Sequence, residues 1–133
     1  MTEKIVTDWS KYAPYFKEAE FRCKHTGKCL MSEVYMDRLL SLRIAYGKPM
    51  KPTSGYRDKT HPIEAKKSTT GTHTTGRAAD FAVEGGNAYR LVELAYQYGF
   101  TGIGVQQKGA GRFIHLDDCA PAAGRPRPTM WSY

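Results

Sequence analysis

Two histidines and an aspartate place the tightest demand on how this chain folds. His73 and Asp80 lie in GTHTTGRAADF, and His115 lies much later in RFIHLDD. Two imidazoles and one carboxylate form a ligand set that binds zinc and leaves a coordination position for water. Such a centre is hydrolytic, but only if the fold carries three residues from separate segments to one point.

The bulk properties limit the frame around them. The 133 residues give room for one compact domain and not for two ordinary ones. The expected organisation is a single domain over 1–133, with an N-terminal arm at 1–20 and a packed C-terminal tail at 121–133. Hydrophobic residues make up 41% and charged residues 25%, the balance of a globular chain rather than a disordered one. No apolar stretch approaches the ~18–20 residues of a membrane span. MTEKIVTDWSKYAPYF lacks the basic start and apolar run of a secretory signal. The expectation is a monomer made in the cytoplasm, acting outside only after release or non-classical export.

A net charge of +7 favours polyanionic partners such as nucleic acid, cell-wall polymers or acidic membrane surfaces. The basic residues are scattered, Lys66-Lys67 being the densest pair, and no recognition helix is evident. A specific nucleic-acid partner is therefore the weakest of these readings. Cys23, Cys29 and Cys119 lack the CxxC spacing of structural zinc sites; Cys23 and Cys29 either bridge or stay buried thiols.

Along the chain, aromatics mixed with polar residues at Trp9, Tyr12, Tyr15, Phe16 and Phe21 suggest an irregular arm. Ser32 is an N-cap candidate for a helix EVYMDRLLSLRIAY, with Val34, Tyr35, Leu39, Leu42 and Tyr46 on one face. Gly47 and Pro49 end it. A short extended piece spans Met50–Thr53. Residues 58–77 have no apolar period and read as a long loop, which in a small domain points to a functional site. Ala78–Val83 reads as a strand, Asn87 as the cap of a second helix AYRLVELAYQYG closed by Gly99, and GIGVQQ with RFIHLDD as a β-hairpin turning at Lys108–Gly111. The tail RPRPTMWSY reads as extended and packed by Trp131. The fold class is α+β: two main helices on a small, mostly antiparallel sheet.

Alternate side chains of a strand share a face. Ala78, Asp80 and Ala82 therefore point one way, and so do Phe113, His115 and Asp117. If the two strands pair, Asp80 and His115 become cross-strand neighbours, and the loop bearing His73 can curl back between Gly71 and Gly76.

In the order SGYR, THxxGxAxDF, FIHLD, these segments resemble the zinc D-alanyl-D-alanine carboxypeptidase and murein endopeptidase family, which shares its fold with the hedgehog signalling domain. The resemblance runs from about Phe21 to the final WSY. It implies zinc held by His73, Asp80 and His115, and Arg57 of SGYR, beside Ser54 and Tyr56, holding a substrate carboxylate or the developing oxyanion. A guanidinium suits that role through its planar fork of donors. The chain departs from the family at its acid/base. Relatives carry a Glu or Asp three residues before the last histidine or a His two before it, where this chain has Arg112 and Phe113. Asp117, on the same strand face, is then either the acid/base or the partner that orients a zinc-bound histidine.

The function implied is hydrolysis of peptide bonds in peptidoglycan stem peptides, by a D,D-carboxypeptidase or an L-alanyl-D-glutamate-type endopeptidase of the phage endolysin kind. The alternative is a zinc-containing wall-binding or interaction module without efficient hydrolysis.

Overall fold

Short strand-forming segments build one sheet, the central ones buried in near-continuous runs. A computed structural model describes residues 3–67 and 71–133; residues 1–2 of the expected arm and 68–70 of the expected loop lie outside the described residues. Its strands are β1 (Lys51–Ser54), β2 (Ala78–Ala82), β3 (Gly102–Gln106), β4 (Phe113–Asp117) and β5 (Thr129–Ser132). They lie in the order β1-β2-β4-β3-β5. β1 with β2, β2 with β4 and β4 with β3 are antiparallel, whereas β3 with β5 is parallel. The α+β class and mostly antiparallel sheet are as the sequence implies. The tail, however, is a fifth strand and not merely an extended packed segment. β4 has already brought the chain back to the Gly102 end of β3, so residues 118–128 need only pass around that end for β5 to start parallel to β3.

Among the described residues four helices complete the fold: α1 (Glu18–Phe21), α2 (Glu33–Tyr46), α3 (Pro62–Ala65) and α4 (Gly85–Gln97). The Ser32 hydroxyl caps α2 by accepting the Tyr35 N–H at 3.2 Å, and Gly47, in the left-handed region, closes it. The buried stripe of α2 is Tyr35, Met36, Leu39, Leu42 and Tyr46. Val34, expected on it, is exposed, because the stripe centres on the line through Leu39 and Leu42, and Val34 falls off its edge. α4 begins earlier than Asn87 predicts, with Glu84 at the cap position. Asn87 instead accepts a hydrogen bond from Lys48 Nζ at 2.9 Å.

The expected loop 58–77 also contains structure. α3 starts where His61 Nδ1 accepts the Ile63 N–H at 3.1 Å with Pro62 at the first helical position, and Thr72–Thr75 form a 3-10 turn. A local cap holds α3, and threonine hydroxyls of the 3-10 turn donate to the Gly71 and Thr72 carbonyls, bonds that leave no apolar period to read. Nor is the arm irregular throughout. A 3-10 turn at Trp9–Tyr12 and α1 lay Tyr12, Phe16 and Phe21 into the main core.

One face of the sheet sends Ala79, Phe81, Ile103, Ile114 and Leu116 into that core with α2 and α4. The opposite face carries the polar residues. There the register sets Ser54, Asp80, His115, Gly104 and Trp131 in one row across all five strands. Among the described residues no helix is long and apolar enough to cross a membrane.

The core assignment predicts a contrast between two α2 positions. Leu39→Ala should lower the unfolding free energy by about 2–5 kcal/mol, and Val34→Ala should change it by no more than about 0.5 kcal/mol, as read from urea midpoints. Equal effects would mean that the buried stripe is misplaced.

Candidate metal centre

Antiparallel pairing of β2 with β4 places Asp80 directly opposite His115. Asp80 Oδ1 lies 2.9 Å from His115 Nδ1 and 3.4 Å from His73 Nε2. Candidate ligand atoms of these three buried residues all lie within 4.8 Å of one another. His73 arrives from the 3-10 turn, whose position is pinned by the Arg57 N–H donating to the His73 carbonyl at 3.0 Å.

The far side of each imidazole decides what the near side presents. His73 Nδ1 is 2.8 Å from the Gly55 carbonyl, and a carbonyl only accepts, so Nδ1 carries the hydrogen and Nε2 presents a lone pair. His115 Nε2 is 2.8 Å from Asp117 Oδ2 and its Nδ1 is 2.9 Å from Asp80 Oδ1; both carboxylates only accept, so both ring nitrogens carry hydrogens until a metal cation replaces the inner one. His73 Nε2, Asp80 Oδ1 and His115 Nδ1 thus face one point, where a proton or a metal cation must sit between them. A divalent ion there would take the place of the proton that His115 and Asp80 otherwise share. Burial would raise the Asp80 carboxyl, but hydrogen bonds with His115 and His73 and the charges of both imidazoles hold it far below the ordinary carboxylate range. Burial pushes the His115 imidazole down, and its hydrogen bonds to Asp117 and Asp80 more than reverse this.

A family model described as Peptidase M15 matches residues 14–117. The chain belongs to the peptidase M15 family. No curated protein matches it. The family supports the resemblance read from SGYR, THxxGxAxDF and FIHLD, and a metallopeptidase reaction class; a buried His–Asp–His group able to hold a metal ion accords with both.

Asp117, the other residue of this M15 chain expected near the centre, is fully buried. Its Oδ2 accepts from His115 and from Arg127 Nη2 at 2.8 Å. Its Oδ1 accepts from Arg127 Nε at 3.0 Å and from the Cys119 N–H at 3.2 Å. Burial would raise this carboxyl, and the hydrogen bonds from His115 and Arg127, with their charges, hold it far below the usual range. Arg112 donates to the Gly109 carbonyl at 2.9 Å, and Phe113 packs its ring 5.1 Å from that of Tyr133. Neither offers a proton acceptor.

Arg57 Nη1 pairs with Glu64 Oε2 at 3.1 Å. Glu64, which the sequence did not single out, also accepts from Lys67 Nζ at 3.1 Å and from the Gly71 N–H at 2.8 Å. This one buried carboxylate ties the SGYR arginine to the turn that carries His73. Ser54, Tyr56 and Arg57 line a cavity of about 130 Å³ beside Gly55, with the Tyr56 hydroxyl turned to Asp58 at 3.4 Å. On the other side a cavity of about 530 Å³ is lined by Thr72, Lys67, Arg125, Arg127 and Trp131.

Trp131 is the second residue that sequence reading missed, having treated it as tail packing. Its indole lies 5.1 Å from the His115 ring because the intervening row position is Gly104, where a Cβ would come within 2.8–3.0 Å of indole atoms. The glycines of GIGVQ were the available signal. All three cysteines are free thiols, and burial, with Glu18 nearby, pushes the Cys29 thiol up to about 12.

Elemental analysis checks the ligand set. The parent protein should bind one divalent metal ion tightly, and His73→Ala, Asp80→Ala and His115→Ala should each be depleted. His25→Ala and His61→Ala should stay loaded. Zinc at a hundredfold over its dissociation constant should stabilise the parent by about 2.7 kcal/mol and the depleted variants not at all.

Proposed function

We propose that this M15 protein is a zinc-dependent peptidase that hydrolyses peptide bonds in the stem peptides of bacterial peptidoglycan. The observation that carries the reading is the convergence of three ligand atoms on one point, with the other nitrogen of each imidazole held by an acceptor. Ligating histidines are characteristically oriented by such outer partners.

In this reading His73, Asp80 and His115 hold zinc, which supplies Lewis acidity and a water whose pKa is lowered to about 7. Arg57, with one nitrogen on Glu64, keeps further donors for a substrate carboxylate or a developing oxyanion. Ser54, opposite Asp80 at the β1 edge, and Tyr56 form the wall of the smaller cavity and contact the same end of the peptide. The larger cavity receives the rest of the stem peptide along Trp131. Asp117 acts as the orienting partner of His115: both its oxygens are engaged, so it has no free acceptor with which to relay a proton. The charge of +7 suits an anionic wall polymer. A D,D-carboxypeptidase would use Arg57 to clamp the terminal carboxylate, while an L-alanyl-D-glutamate endopeptidase would keep that end open.

A specific observation favours a second reading. Arg112 and Phe113 stand where relatives carry an acid/base, and Asp117 is fully committed, an arrangement suited to a zinc-containing wall-binding module without efficient hydrolysis. One experiment separates the two. Zinc-loaded protein incubated with purified sacculi should release new amine termini, with chelator or His115→Ala abolishing release; mass analysis of muropeptides then names the bond. Metal-dependent co-sedimentation with sacculi and no new termini would select the binding module.

A further inference from the structure

Arg127 lies outside the segment that the family match covers, in the turn before β5, yet its side chain is only 6% exposed. A long cationic side chain is rarely buried to that degree unless it is paired. Its partner is Asp117, gripped by a two-point fork: Nε to Oδ1 at 3.0 Å and Nη2 to Oδ2 at 2.8 Å. The same guanidinium sits 5.1 Å from the centre of the Trp131 ring. Asp117 and Trp131 both bear on His115, one through Nε2 and the other against the ring.

We infer that Arg127 is a positioning residue for the metal centre, fixing the tautomer and ring orientation of His115 through Asp117 and Trp131 and thereby setting metal affinity. The inference rests on the reading of His73, Asp80 and His115 as metal ligands.

The physical case has two parts. A carboxylate buried beside an imidazole can rotate about its own bonds, and a fork that engages both oxygens removes that freedom. Anchored so, Asp117 presents Oδ2 to His115 Nε2 as a permanent acceptor, and Nδ1 is left facing Asp80. Without the guanidinium, Asp117 would be a buried charge short of a counterion. It would rotate out of line with Nε2, releasing the imidazole to turn. The sequence accommodates the clamp through Gly102, which lies opposite Asp117 and whose position could not carry a Cβ without striking that carboxylate.

The test is zinc affinity, measured by competition with a chromophoric chelator. Arg127→Lys keeps the charge without the fork, and it should bind zinc 10–100-fold more weakly than the parent; Arg127→Ala should do the same. Ethylguanidinium added to Arg127→Ala should restore part of the affinity, and the visible spectrum of the cobalt-substituted variants should shift as the His115 ligand field changes. Asp117→Asn should weaken binding similarly, and the Asp117→Asn, Arg127→Lys double variant should lose no more than the larger single effect. A merely structural tie of the tail would instead lower the melting temperature while leaving zinc affinity, cobalt spectrum and guanidinium response unchanged. Parent-like affinity in folded Arg127→Lys, or additive losses in the double variant, overturns the inference. Failure of the metal-centre reading looks different: the parent itself would bind zinc no better than His73→Ala.

Discussion

His73 Nε2, Asp80 Oδ1 and His115 Nδ1 face one another across a few ångströms, a meeting of electron-pair donors that needs a proton or a metal cation between them. It persists because the rest of the chain supplies opposite pulls. The Gly55 carbonyl fixes one ring, the Asp117 carboxylate fixes the other, and the pairing of β2 with β4 fixes the aspartate between them. Each pull has its own support further out. The carbonyl belongs to the SGYR turn, which hydrogen-bonds to α1 through the Tyr56 N–H and the Phe21 carbonyl. The carboxylate belongs to a strand end clamped by Arg127.

The two faces of the sheet therefore do different jobs. Burial of Phe81, Ile114 and Leu116 against α2 and α4 provides the hydrophobic stabilisation, and a one-residue slip in register would exchange the faces. Because that slip would bury Asp80 and His115 in an apolar core, the same hydrophobic pattern that stabilises the domain also locks the polar row in place. Glycines at positions 102 and 104 then let a carboxylate and an indole lean over β3 toward the centre. Side chains from β2 and β4 are thereby supported by the tail, which the order of the chain alone would have left at the periphery.

Much of this was legible in the residues. The alternation in RAADFAV and RFIHLDD was enough to set the strand face of Asp80 and of His115, because a period of two is a local property, while the pairing of the two strands stood as a condition that β2 and β4 meet. The capping of α2 by Ser32 and its closure at Gly47 were legible for the same reason. The misreadings share a cause as well. Val34 was placed on the buried stripe of α2 because the angular width of a stripe depends on what packs against it. Asn87 was taken as a cap although the Lys48 ammonium, far off in sequence, claims its side chain. α3 and the turn around His73 were hidden inside an apparent loop because short-range polar bonds, not apolar periodicity, hold them. Glu64, Arg127 and Trp131 carried no local signature at all.

By itself, the sequence determined the α+β class, the central strands, the main helices and the three residues able to grip a cation, since periodicity and motif spacing are written in consecutive residues. Only the tertiary structure decided that the tail is a parallel fifth strand, that Glu64 joins Arg57 to the turn carrying His73, and that Asp117 is held between Arg127 and His115. Those facts depend on partners brought together by the folding of distant segments, and a hydrogen bond between such partners leaves no trace in the order of residues around either one.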